Sequence, residues 1–282
     1  MDSKQSVAIV TDGTADIPKE LATSLGIDIV PLYVMFGDKT YTETELTQPE
    51  FFALMNAAPT LPTTSQPAVG VFEDIYRAAL ERASTVVAIH ISERLSGTIG
   101  TARQAAAAFG DRVRVFDSRN LSWGLALQVV EAARAAAAGA SVDEVLSGLE
   151  SARDRVRMLV GVDKLDNLAK GGRIGAVSAF LGGLLNLKVT FTVKDGAFDP
   201  VARVRGTQGA LEHTLKWVEE QMAGRSRGAF CVMHAMSTDK AEWLRERLSG
   251  MFTPVDMYVV EVGAVIAAHT GTGWGVAVLP AE

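Results

Sequence analysis

The chain carries one cysteine among its 282 residues, which excludes an internal disulfide and a Cys-x-x-Cys metal or redox pair and fits a reducing compartment. That cysteine, Cys231, lies in the apolar run Ala229-Phe230-Cys231-Val232-Met233, where filling space in a strand is its expected role. Basic charge is also scarce: 27 Lys and Arg face 33 Asp and Glu, giving a net charge of −6 with no cluster of four or more basic residues. Nucleic acid and anionic membrane surfaces are therefore unexpected partners. Long hydrophobic runs are missing too. The most lipid-like stretch, residues 176–187, is interrupted by two glycines and Asn186 and falls short of the roughly 20 residues a membrane span needs, so it reads as a core helix or pocket wall. No signal-peptide pattern precedes the first strand-like segment, and a cytoplasmic protein is expected. Neither a Gly-x-Gly-x-x-Gly nor a P-loop pattern occurs, which disfavours dinucleotide and nucleotide cofactors. No cofactor and no metal ligand set is expected.

Nearly half of the residues, 48%, are apolar, enough at this length for two domains with real cores. Strand and helix signals alternate through the first half. Strands are expected at residues 7–10, 27–35, 85–91 and 113–116, with helices around 18–25, 50–55, 72–82, 98–109 and 121–138. Such alternation implies a mostly parallel, Rossmann-like sheet covered on both faces. From about Met158 the rhythm changes. A short helix at 164–169 is followed by the Gly-rich apolar stretch, a hairpin turning at Lys194-Asp195-Gly196, helices at 210–222 and 240–248, and strands at 228–234, 257–262 and 276–279. The expectation is an α/β chain with a parallel-sheet domain over residues 1–157 and a smaller mixed-sheet α/β domain over 158–282.

Chemistry is expected at the carboxyl ends of the strands, where α/β sheets bind ligands. Thr11-Asp12-Gly13-Thr14, Ser92 to Thr98 and Asp117-Ser118-Arg119-Asn120 all follow strands; singly each can be a helix cap, and together they suggest a crevice. Pro62-Thr63-Thr64-Ser65-Gln66-Pro67 is a proline-bounded loop with three hydroxyls, either a solvated turn or a rigid anion-binding cluster. Lys170-Gly171-Gly172-Arg173 suits C-capping, and Arg173 adds a guanidinium fork for a carboxylate or phosphate. The apolar run 262–268 reads as a buried strand that ends at His269 and opens the loop Thr270-Gly271-Thr272-Gly273. His269 is then either a core-edge histidine or a group that donates to an anion or moves a proton near neutral pH.

Six motifs stand together in order. Val10-Thr11-Asp12-Gly13-Thr14-Ala15-Asp16-Ile17-Pro18, Thr64-Ser65-Gln66-Pro67, Leu95-Ser96-Gly97-Thr98, Lys170-Gly171-Gly172-Arg173-Ile174, Lys194-Asp195-Gly196 and His269-Thr270-Gly271-Thr272-Gly273 resemble the DegV family over essentially the whole chain. That resemblance implies a DegV-like two-domain fold and a long-chain fatty acid bound in an apolar tunnel between or beside the domains. It also implies a separate fatty acid kinase subunit that phosphorylates the bound carboxylate for phospholipid metabolism. Carried over by position, Thr64 and Ser96 match the hydroxyls that hold the carboxylate, Arg173 and His269 the rest of its polar network, and Arg205 a basic position associated with docking the kinase. The chain departs from the family pattern at Gly13, usually Ser, at Val189-Thr190, at Gly206-Thr207-Gln208-Gly209, which lacks further basic residues, and at Trp274, usually small. A rival reading is a lipid hydrolase or acyltransferase with Ser96 as nucleophile, His269 as base and Asp12 or Asp117 orienting it, but Ser96 lacks the Gly-x-Ser-x-Gly elbow.

Overall fold

The computed structural model describes residues 5–180 and 187–281. In chain order its elements begin with β1 (Gln5–Asp12), α1 (Lys19–Ser24), β2 (Ile27–Val30), β3 (Tyr33–Phe36), β4 (Lys39–Thr42), α2 (Gln48–Ala57) and β5 (Thr63–Ser65). There follow α3 (Val69–Arg82), β6 (Ala83–His90), α4 (Thr98–Ala106), β7 (Val113–Asp117), α5 (Ser122–Ala137), α6 (Val142–Arg155), β8 (Arg157–Val162) and α7 (Asp166–Lys170). The last part comprises β9 (Leu187–Lys194), β10 (Ala197–Arg205), α8 (Thr207–Met222), β11 (Arg227–Ala235), α9 (Thr238–Met251), β12 (Thr253–Glu261), α10 (Ala264–Thr270) and β13 (Gly273–Pro280).

Two compact units divide the chain: Met1–Tyr33 with Ser65–Arg155, and Val34–Thr64 with Val156–Glu282. The chain thus passes from one unit to the other at 33/34, 64/65 and 155/156, and residues 34–64 cluster with the second unit. Gln48 shows why. Its amide nitrogen donates to the carbonyls of His234 and Val262, both at 2.9 Å, and its oxygen accepts from Met236 N at 2.9 Å. One buried side chain, fully satisfied, ties the start of α2 to the ends of β11 and β12. The expected strand over 27–35 is likewise divided: β2 ends at Val30 and β3 starts at Tyr33, because Pro31 has no N–H for a ladder bond.

In the first unit the sheet runs β2-β1-β6-β7, parallel throughout. Ala8, Val10, Val86 and Ala88 face a cluster with Phe72, Tyr76 and Ala79 of α3 and Ala102 and Ala105 of α4. The alternate residues Val7, Ile9, Val87 and Ile89 are equally buried on the opposite face, where α5 packs on β1. Both faces being covered explains why these strands read as unbroken apolar runs.

In the second unit a six-stranded sheet has the order β10-β9-β8-β13-β11-β12. Only the β11–β12 pair is parallel among its described pairings, as expected for a mixed sheet, although with six strands against four the size order is the reverse of that expected. Helices α8 and α9 bury Leu211, Trp217, Leu244 and Leu248 against Phe230, Val232, Val276 and Val278. Trp274 of β13 stands opposite Gly161 of β8, where a Cβ would meet the indole at 2.4 Å, so the bulky residue is accommodated by the glycine beside it. Strands β4, β3 and β5 form a three-stranded sheet, and Thr47 and Glu50 cap α2 reciprocally.

Residues 262–268 are not a strand. Gly263 caps a helix, α10, whose first five residues are buried, and a short wholly apolar run has no period to separate helix from strand. The Gly-rich stretch 176–187 enters a 3-10 helix at Gly175–Phe180; its residues 181–186 lie outside the described residues. Among the described residues no helix is long and apolar enough to cross a membrane.

Candidate functional site

Three of the expected site residues come together in the second unit. Thr64 sits in β5 rather than in a loop, and His269 in the last turn of α10 rather than at a strand end. Thr64 Oγ1 and His269 Nε2 are 2.9 Å apart. Behind the ring lies Gly171, where a Cβ would come within 2.5 Å of His269 Nδ1, so the imidazole occupies space only a glycine leaves. Asn167 Nδ2 donates to Ala268 O at 3.3 Å and pins the end of α10. Arg173 is exposed and donates through Nη1 to Gly171 O at 2.7 Å.

Burial, and secondarily the positive charge of Arg173, push the His269 pKa down to about 4. The ring is therefore neutral near pH 7 and carries a single N–H. Its Nδ1 is buried without a hydrogen-bond partner. An orphaned buried N–H is costlier and rarer than an orphaned acceptor, so the proton belongs on Nε2, which donates to Thr64 Oγ1. That choice leaves the Thr64 hydroxyl proton free to donate outward to an acceptor.

The loop after α10 is held from below. Asp163, which follows β8, donates its N–H to Thr272 O at 3.2 Å and accepts from Thr272 Oγ1 at 2.9 Å. Lys188 Nζ donates to its other oxygen at 2.7 Å, and Lys240 Nζ lies 3.6 Å away. Burial opposes ionisation of Asp163, but the Lys188 hydrogen bond, the Lys240 charge and the Thr272 hydroxyl outweigh it and hold the carboxyl below its usual range. Neither Asn167 nor Asp163 was expected from the sequence: an Asn near a short helix and a lone Asp after a strand carry no local signal.

Ser96 belongs to the first unit. Its Oγ lies 2.8 Å from Thr98 Oγ1 and accepts from Thr98 N at 3.3 Å, at the start of α4. Gln66 covers Gly97, where a Cβ would meet its Oε1 at 2.0 Å, and donates to Thr101 Oγ1 at 2.7 Å. The same unit holds a second histidine network. Fully buried Asp12 accepts from Thr14 N, from His90 Nδ1 and from Ile91 N, each at 3.0 Å, and from the Thr14 hydroxyl. His90 Nε2 lies 3.4 Å from the Tyr76 hydroxyl, whose pKa burial raises. Asp12 is thus engaged by His90, and Asp117 Oδ1 accepts from Arg119 N at 2.8 Å. His269 itself bonds Thr64 through Nε2 and has no partner on Nδ1, so no carboxylate orients it and the hydrolase reading is not favoured. Arg205 is exposed at the end of the edge strand β10. No group of three or more His, Cys, Asp or Glu able to hold a metal occurs among the described residues.

Comparison with known proteins adds the lineage. The family model described as "Uncharacterised protein, DegV family" matches residues 6–281. A DegV domain-containing protein of Deinococcus radiodurans is 41% identical over 98% of this chain and 99% of its own length. Among solved structures, a DegV family protein from Thermus thermophilus described for fatty acid binding superposes with a TM-score of 0.94 at 38% identity, covering 98% of this chain and 100% of its own. DegV from Bacillus subtilis, described as a fatty acid binding protein, superposes with a TM-score of 0.88 at 29% identity, covering 98% and 100%. With a family model spanning nearly all of its length and relatives matched end to end, this chain belongs to the DegV family.

Proposed function

We infer that the protein binds a long-chain fatty acid as a carrier and that Thr64 donates to its carboxylate, with His269 fixing the direction of that hydroxyl. The observation that carries this reading is the 2.9 Å Thr64–His269 pair with a buried, partnerless Nδ1, supported by the fatty acid binding of the Thermus and Bacillus relatives. Ser96 supplies a second hydroxyl and Arg173 a cation, since a carboxylate withdrawn from water needs several donors. The hydrocarbon, in an apolar tunnel, contributes about 0.8 kcal/mol per CH₂ before ordering costs.

The bound acid is presented to a separate fatty acid kinase subunit that forms the acyl phosphate, and Arg205 belongs to the surface that subunit engages. The protein itself performs no chemistry. Mass spectrometry of lipid extracted from the purified protein tests the binding reading: a stoichiometric long-chain fatty acid is expected, and lipid-free protein that also fails to take up added fatty acid overturns it.

A further inference from the structure

The Asp163 cluster has a geometry that the ligand site alone does not require. Thr272 is gripped twice by one residue, through Asp163 N and through its carboxylate. The residue before it, Gly271, has φ 67° and ψ −152°, a region open essentially to glycine alone. Gly271 N in turn donates to Ala267 O at 2.8 Å and closes α10. Only two residues, Thr270 and Gly271, therefore separate the grip from His269, and this short piece of chain is already fixed at both ends. A displacement of Thr272 has no slack to absorb it and must reach the last turn of α10. On the other side, Asp163 is itself held by ammonium groups from two separate elements, Lys188 in β9 and Lys240 in α9, and Lys240 is steadied over the Trp274 ring at 5.2 Å.

We propose that Asp163, braced by Lys188 and Lys240, is a positioning residue that acts through Thr272 to set the His269 ring against Thr64, and so determines which way the Thr64 hydroxyl points. Its significance for binding rests on the fatty acid reading; the effect on the ring does not. Asp163 touches no ligand in this scheme. Second-layer partners of this kind matter because a donor displaced by a fraction of an ångström no longer meets its acceptor.

The test is Thr272→Val, which keeps the shape and removes the hydroxyl, with Thr272→Ser as the conservative rescue. Two-bond ¹H–¹⁵N spectra of the histidine rings, with His269 assigned by loss of its signals in His269→Gln, report the tautomer directly. The wild type is expected in the Nε2–H form. Thr272→Val is expected to shift the His269 signals toward a tautomer mixture and to weaken binding of the fluorescent fatty acid cis-parinaric acid about tenfold, and Thr272→Ser to restore both. His269 signals identical to wild type in Thr272→Val overturn the proposal. Lys188→Met releases one Asp163 oxygen without touching the loop; it is expected to move the same signals by less and decides the matter if Thr272→Val does not fold. If the wild type fails to bind cis-parinaric acid, the ligand reading fails on its own, and the ring signals still judge the positioning.

Discussion

Two histidines, one in each unit, stand in opposite states of satisfaction. His90 is wholly buried, bonded through Nδ1 to Asp12, near Tyr76 through Nε2, and set edge-on to Phe72 with ring centroids 5.3 Å apart. His269 has one partner, Thr64, and a buried nitrogen with none. A saturated polar network rigidifies a core, whereas a donor chain with one end open keeps a hydroxyl proton available to a further acceptor. The difference separates a histidine that joins β1 to β6 from one whose only partner, Thr64, belongs to the proposed carboxylate site.

The largest expected effect tests the saturated side. Asp12→Ala strips His90, Ile91 N and Thr14 of their common acceptor and leaves buried donors unpaired, which costs about 3–5 kcal/mol. Urea unfolding should show a lower midpoint with an unchanged slope. A loss under 1 kcal/mol would deny the network its structural role.

Next comes the pH dependence of the open side. The His269 pKa is near 4 when folded, against 6.5 for the free side chain. Between these values the unfolded chain binds more protons than the folded one, so stability rises with pH there. The contribution is complete above about pH 6.5 and is lost as pH falls toward 4, amounting to at most about 3 kcal/mol. His269→Gln should flatten that limb of the stability profile; the same slope in wild type and variant would place the titration elsewhere.

Thr64→Ala should then separate binding from folding. Removing one charge-assisted donor costs about 1.5–3 kcal/mol of fatty acid affinity, and because Thr64 is only half-buried the unfolding midpoint should barely move. Displacement of a fluorescent fatty acid measures the first and urea the second. Equal affinity in wild type and variant removes Thr64 from the site.

What was legible beforehand follows the same divide. Local patterns showed β1, β6 and the parallel sheet, the hairpin at Lys194-Asp195-Gly196 and the motifs holding Thr64, Arg173 and His269. The helix at 142–155 also carries a local signal, Val145, Leu149 and Ala152 at helical spacing, which the expected elements do not include. Long-range partners were not readable: Asp12 and His90 lie 78 residues apart, and the bonds of Gln48 reach 186 and 214 residues along the chain. Nothing local marks such a Gln as a clamp, so the grouping of residues 34–64 with the second unit has no signal in the sequence around them. The run 262–268 failed for the opposite reason, its uniform apolarity fitting both strand and helix.

The smallest effect belongs to neither histidine. Arg205 is exposed on an edge strand, and a basic side chain in such a place steers and orients an acidic surface without touching a buried ligand. Arg205→Ala should leave fatty acid affinity and stability as they are, while acyl phosphate formation with a fatty acid kinase subunit that accepts this protein slows several-fold and more so at low salt, where steering is strongest. Single-turnover phosphorylation of the pre-loaded protein at two ionic strengths measures it. A rate unaffected at both would move the docking surface elsewhere, and a matching loss of affinity would draw Arg205 into the binding site beside Thr64.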